Sequence, residues 1–197
     1  MSATIAPPTN VAPSLMTSEE FLSLPDDKRD RILIRGTVWE KRMTYRNFFH
    51  SSVMAYLVYQ LTHWAVSNPD RGLNVVSGEA GVRLRTDPAT IVGIDVAVVR
   101  RQATLLTVGN RTILDEPPLL AAEILSPSDR QREVEARVDE YLATGVPLVW
   151  IVSPHFRTIT AHAPGKDPQM FSGNADLIAE PVLPGFRIPV ARVFETI

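Results

Sequence analysis

Three near-continuous apolar runs constrain this chain most: Ile91-Val-Gly-Ile-Asp-Val-Ala-Val-Val99, Leu119-Leu-Ala-Ala-Glu-Ile-Leu125 and Leu148-Val-Trp-Ile-Val152. Runs this short and this apolar read as strands covered on both faces. Between the second and third lies a helical stripe, Val134, Val138, Tyr141 and Leu142, closed by Gly145 just past the helix end. Strand, helix and strand then form one βαβ crossover, which makes its two strands parallel. The expectation is α/β or α+β, with a mixed central sheet flanked by helices.

Two of these runs carry a carboxylate, Asp95 and Glu123. An ionised carboxylate inside a strand of this kind is costly unless a cation compensates it, and two on one sheet raise each other's cost. A divalent metal is the simplest chemistry that makes the pair tolerable, and metal-assisted hydrolysis its simplest use. Alternation places Gly93 and Ala97 beside Asp95 on one strand face, with Ala121 and Leu125 beside Glu123. These small neighbours leave room for an ion or a phosphate. On the following helix Arg137 borders the apolar stripe one turn before Tyr141, and Arg130 lies two turns earlier on nearly the same side. Arg132 reads as a solvated flank. The competing reading is a structural ion pair between a carboxylate and an arginine.

The rest of the chain fits around this centre. Thr17 and Glu20 form a capping box for a short helix ended by Pro25. Residues 31–34 and 37–41 read as a hairpin turning at Arg35-Gly36, and a long helix runs from about Tyr45 to Val66 on the stripe Phe49, Val53, Tyr56, Leu57, Leu61 and Trp64. Leu73–Val76 and Gly81–Arg85 read as two strands, 102–117 as a polar connection turning at Gly109-Asn110, and Ser128 as the cap of the crossover helix. The segment 182–194 packs on the core. Residues 1–15 read as a mobile tail and 16–197 as one domain, a size that 197 residues suit.

Composition removes several classes of function. With no cysteine, thiolate nucleophiles and Cys-ligated zinc are excluded, and a reducing cytoplasm is the expected location. Net charge is −2 and the pI about 6.1, so any nucleic-acid contact must be local. No run reaches membrane-spanning length and no secretory signal opens the chain. His50 and His63 lack the spacing of a zinc pair, no phosphate-binding glycine loop occurs, and Ser126 and Ser128 lack a His-Asp partner set. Local basic residues are Lys41, Arg42, Arg46, Arg83, Arg85, Arg100 and Arg101.

Several segments, taken in order, carry a resemblance: Met16-Thr-Ser-Glu-Glu-Phe-Leu22, Val38-Trp-Glu40, Ile94-Asp-Val-Ala-Val-Val99, Ala122-Glu-Ile-Leu-Ser-Pro-Ser-Asp129, Tyr141–Val146, Val149–Val152 and Val182–Pro189. The chain resembles the Uma-type restriction endonuclease family, a branch of the PD-(D/E)xK nuclease superfamily. The resemblance implies a restriction-endonuclease-like core with an N-terminal β-hairpin. It also implies a Mg²⁺ or Mn²⁺ site made by Asp95, Glu123 and the backbone carbonyl of Ile124. Leu125 stands where the wider superfamily has its lysine, and Arg137 where this branch carries it. Arginine keeps its charge at any working pH, so it can neutralise a phosphate but cannot act as a base. Ile94 replaces the family's proline, Ile32 a common Glu, and Arg35 a common Asp. His50 and Glu40 match positions that could contact phosphate or support the acids.

The leading expectation is a metal-dependent endonuclease hydrolysing phosphodiester bonds in DNA, with Asp95, Glu123 and Arg137 as catalytic residues and with Glu40, His50, Arg130 and Tyr141 around them. A homodimer would suit the cutting of two strands. The alternatives are a nuclease fold that only binds nucleic acid or protein, and a purely structural acidic pair.

Overall fold

The computed structural model describes residues 15–25, 27, 29–41, 47–127 and 129–195. The tail up to residue 14, Arg42, Tyr45, Arg46, Ser128 and the side chain of Lys41 lie outside the described residues.

One sheet carries the fold. Its strands are β1 (Asp30–Ile34), β2 (Thr37–Lys41), β3 (Leu73–Arg85), β4 (Thr90–Arg100), β5 (Leu105–Val108), β6 (Arg111–Leu114), β7 (Leu120–Ile124), β8 (Val149–Ser153), β9 (Thr158–His162) and β10 (Gln169–Ser172). Their order is β10-β9-β8-β7-β4-β3-β6-β5, and the β1–β2 hairpin joins β4 at Leu33 opposite Ile91. The acid-bearing strands β4 and β7 are central neighbours, antiparallel, and β7 runs parallel to β8 as the crossover requires. The sheet is therefore mixed, as expected.

The helices cover opposite faces. α2 (Phe48–Ser67) is capped by Asn47, whose side chain accepts from the Phe49 N–H. It buries Val53, Leu57, Leu61 and Ala65 against Val96, Val98, Ala122, Ile124, Trp150 and Val152. The C-terminal segment closes the same core through β11 (Asp176–Ile178), β12 (Arg187–Pro189) and α4 (Val190–Val193). α3 (Gln131–Ala143) packs Val138 and Tyr141 on the other face, with Val92, Ile94, Ala97, Val99 and Ile151. α1 (Ser18–Leu22) has both bonds of the Thr17–Glu20 capping box and fills a smaller cluster with Leu33 and Ile91.

Four local expectations change. α2 turns His50, not Phe49, inward, and Phe49 is exposed, because the imidazole finds a polar partner in the sheet. The crossover helix begins at Gln131 with Arg130 as N-cap. Residues 105–114 form a hairpin around Gly109-Asn110 rather than an irregular connection. The segments 73–76 and 81–85 belong to one strand, interrupted by a bulge: Ser77 pairs with Val96 and Ala80 with Ile94, so Gly78 and Glu79 together face Asp95.

A third buried acid, besides Asp95 and Glu123, ties these layers together. Glu140 on α3 is almost wholly buried, and its carboxylate accepts from Arg35 Nε at 2.8 Å, Arg85 Nε at 3.1 Å and Thr90 Oγ1 at 2.9 Å. The Thr90 hydroxyl in turn accepts from the Arg35 backbone N–H. Burial pushes the Glu140 carboxyl up, but the bonds from Arg35, Thr90 and Arg85 outweigh it and hold the group below the ordinary Glu range. A depressed carboxyl pKa contributes stability above the unfolded value, about 4.3, and that contribution is lost as pH falls through the folded value. We expect Glu140→Gln to cost about 1–3 kcal/mol at neutral pH. In urea titrations the gap between the two proteins should close as the pH falls below about 4; a gap independent of pH would contradict the assignment.

Candidate active site

The acids meet where two strands part. The β4–β7 ladder runs from Val98 opposite Leu120 to Val96 opposite Ala122 and stops there. One step on, the Ile124 N–H donates to Asp95 Oδ2 at 2.8 Å instead of to a strand carbonyl. N–H and C=O of one strand residue face the same neighbour, so the Ile124 carbonyl also lies on the β4 side. His50 Nε2 sits 3.2 Å from the same Oδ2, while its buried Nδ1 has no hydrogen-bond partner among the described residues. Both contacts fall on Oδ2, and Oδ1 of Asp95 takes part in neither.

Glu123 faces the other helix. Arg137 donates to its Oε2 at 3.1 Å, and the Tyr141 hydroxyl donates to its Oε1. Arg137 also reaches Asp129 Oδ1 at 3.6 Å, so it straddles two carboxylates instead of gripping one. Asp129 is itself held by the backbone N–H and hydroxyl of Ser126, each at 2.7 Å, which shapes the β7–α3 turn. Burial works against the charge of Arg137, but Glu123, with help from Asp129 and Asp95, holds its pKa above the usual value, so it stays a cation. Tyr141 is fully buried; burial and the Glu123 charge raise its pKa well above 10, so it remains a neutral donor.

The strand geometry around Asp95 corrects one expectation. Val92 and Ile94 share the α3-side core with Ala97 and Val99, while Val96 and Val98 face α2. Alternation therefore slips at Asp95, because the bulge on β3 lies opposite it. Ala97 does not flank Asp95 on one face, and the space at Gly93 is taken: a Cβ there would come within 2.6 Å of Glu79 Oε2. Glu79 adopts φ +62° at the bulge, a conformation that side-chain-bearing residues seldom take. A third carboxylate thus lies against the Asp95 strand.

Asp95, Glu123, Ile124, His50, Arg137 and Tyr141 come together. Glu40 is half-exposed on β2, and its carboxylate is occupied by Arg31 and Arg29. Arg130 is exposed ahead of α3. Arg83 is locked on Asp115, and Arg100 on Glu116. Sequence reasoning missed Asp129 and Glu79. Asp129 had a signal in its position three residues after Ser126; Glu79 had none within its own strand.

Among the described residues no group of three or more His, Asp or Glu side chains is spaced to hold a metal ion. The candidate donors are the carboxylates of Asp95 and Glu123 and the Ile124 carbonyl. One or two carboxylates plus water is how Mg²⁺ is commonly held, so the donor set fits that ion.

A family model described as "Uma2: Putative restriction endonuclease" matches residues 18–191. Among solved structures, a crystal structure of a "putative nuclease belonging to DUF820" from Anabaena variabilis superposes with a TM-score of 0.76 at 20% identity, covering 91% of this chain and 98% of that one. At that identity the likeness carries the fold alone. No curated protein matches the sequence.

An absorbance titration should show a late tyrosine step well above pH 10 that Tyr141→Phe deletes. A late step that survives the substitution would contradict the buried Tyr141–Glu123 bond.

Proposed function

The chain belongs to the Uma2 family, described as "Putative restriction endonuclease", and from that premise we propose that it is a metal-dependent endonuclease hydrolysing phosphodiester bonds in DNA. The observation that carries the reading is the parting of β4 and β7 at two buried carboxylates, with one carboxylate bonded to a backbone N–H and the other to a charged arginine. Mg²⁺ or Mn²⁺ held by Asp95, Glu123 and the Ile124 carbonyl would polarise the scissile phosphate and lower the pKa of a bound water. His50 and the Ile124 N–H fix Asp95 Oδ2, which turns the orientation of its other oxygen into a property of the fold. Tyr141 and Arg137 together fix Glu123. Arg137 keeps its proton, so its part is to neutralise charge developing on the phosphate. Cutting both strands of a duplex calls for two such sites, which a homodimer supplies.

A second reading, a nuclease fold that binds without cutting, draws on one observation. Arg137 is engaged by Glu123 and Asp129, and an arginine cannot take a proton from water.

Titration calorimetry with Mn²⁺ and cleavage of a supercoiled plasmid test the first reading. Asp95→Ala and Glu123→Ala should abolish the Mn²⁺ heat and lower cleavage by about 100-fold or more, and Arg137→Ala should lower cleavage by about 100- to 1,000-fold with metal binding retained. If the parent protein gives no Mn²⁺ heat and Asp95→Ala leaves its cleavage unaltered, the proposal is wrong. Arg137→Lys separates the two readings: a large gain in cleavage marks a weakened nuclease, and no gain with DNA binding intact marks the binding module.

A further inference from the structure

Arg35 and Arg85 share one carboxylate. Each gives its Nε to the buried Glu140, at 2.8 and 3.1 Å, and neither has its terminal nitrogens in a hydrogen bond with a described residue. Arg35 is 60% exposed and Arg85 31%. The charge balance differs from that of the neighbouring arginines. Arg31 faces two acids, Asp27 and Glu40, and Arg83 faces Asp115 and Glu19, so those cations are neutralised. Here two guanidiniums face one acid and a positive charge is left over. A guanidinium pinned by Nε presents its terminal N–H groups in a fixed fork, the geometry that phosphate oxygens accept.

The backbone favours this arrangement at some local cost. Arg35 and Gly36 form the hairpin turn with φ of +47° and +75°, a turn in which Asn, Asp or Gly is the easy first residue. Arginine gains nothing as a turn former there. Arg85 follows a second slip of the β3–β4 ladder, between Arg83 opposite Ile91 and Arg85 opposite Thr90, which re-aims its side chain.

We infer that Arg35 and Arg85, held by Glu140, form a clamp for a backbone phosphate of the nucleic-acid substrate, away from the bond that is cut. The inference rests on the nuclease reading for its substrate. Thr90, which shares Glu140, precedes Asp95 by five residues on β4, about 17 Å of strand, or about five base steps of duplex. Glu140 and Arg137 are three apart on α3 and so neighbours on its surface, which ties the clamp to the acid pair through one rigid element.

Fluorescence anisotropy with two mixed-sequence 20-bp DNA duplexes, in EDTA so that nothing is cut, tests the clamp. Arg35→Asn, which suits the turn, and Arg85→Gln should each weaken binding about tenfold. The loss should be equal for both duplexes, and the slope of log affinity against log salt should drop by about one. Unchanged affinity and slope in both variants would overturn the clamp and leave the Glu140 network as a structural tie only. If the parent binds neither duplex, calorimetry with inorganic pyrophosphate decides. Binding by the parent that Arg35→Asn abolishes keeps the anion clamp while the nuclease reading fails; no pyrophosphate binding by the parent overturns the clamp as well.

Discussion

The bond from the Ile124 N–H to Asp95 Oδ2 is the contact on which the rest of the structure turns. It replaces a ladder bond at the place where β4 and β7 stop pairing, so a buried backbone donor is satisfied by a side chain and not by the next strand. Without that carboxylate the parting of the strands would leave an orphaned N–H, and without the parting the carboxylate would have no room. His50 closes the same oxygen from α2, while Arg137 and Tyr141 hold the second acid from α3. The two helices therefore do more than cover the sheet: each delivers polar groups to one side of the gap.

Much of this was legible in the chain. Asp95 and Glu123 declared themselves because carboxylates in apolar runs demand compensation, and Arg137 declared itself because it borders a helical stripe. The βαβ unit, the N-terminal hairpin and the capping box follow from local patterns that tertiary packing leaves intact. Two of the misses have a common cause. Alternation along β4 fails at Asp95 because of one extra residue on β3, and nothing in the β4 sequence records a bulge in its neighbour. For the same reason Glu79 gave no sign of lying over Gly93. The 105–114 hairpin was obscured because its strands are only four residues long and β5 is an edge strand, too short for alternation to mark them. Glu140 looks like any acid in a charged helix until Arg35, 105 residues away, is seen beside it.

Charge compensation recurs at two depths. Near the acid pair Arg137 is shared between Glu123 and Asp129. Around Glu140 the balance is reversed, two arginines to one acid. α3 carries members of both networks within one turn, so the two keep a fixed separation. Among the described residues no helix is long and apolar enough to cross a membrane, and the long apolar helix face of α2 is spent on the sheet.

The order of strands in the sheet has a consequence for how the protein is made. Asp95 and Glu123 stand on adjacent strands, but their compensating groups come from residue 50 on one side and residues 137 and 141 on the other. A nascent chain that has emerged only through β7 holds both acids and lacks the cation that makes the second one bearable. The second acid is therefore compensated only once α3 has docked. On the reading proposed above, the capacity to cut waits for α3, while β8 to β10 and the C-terminal segment still have to complete the core.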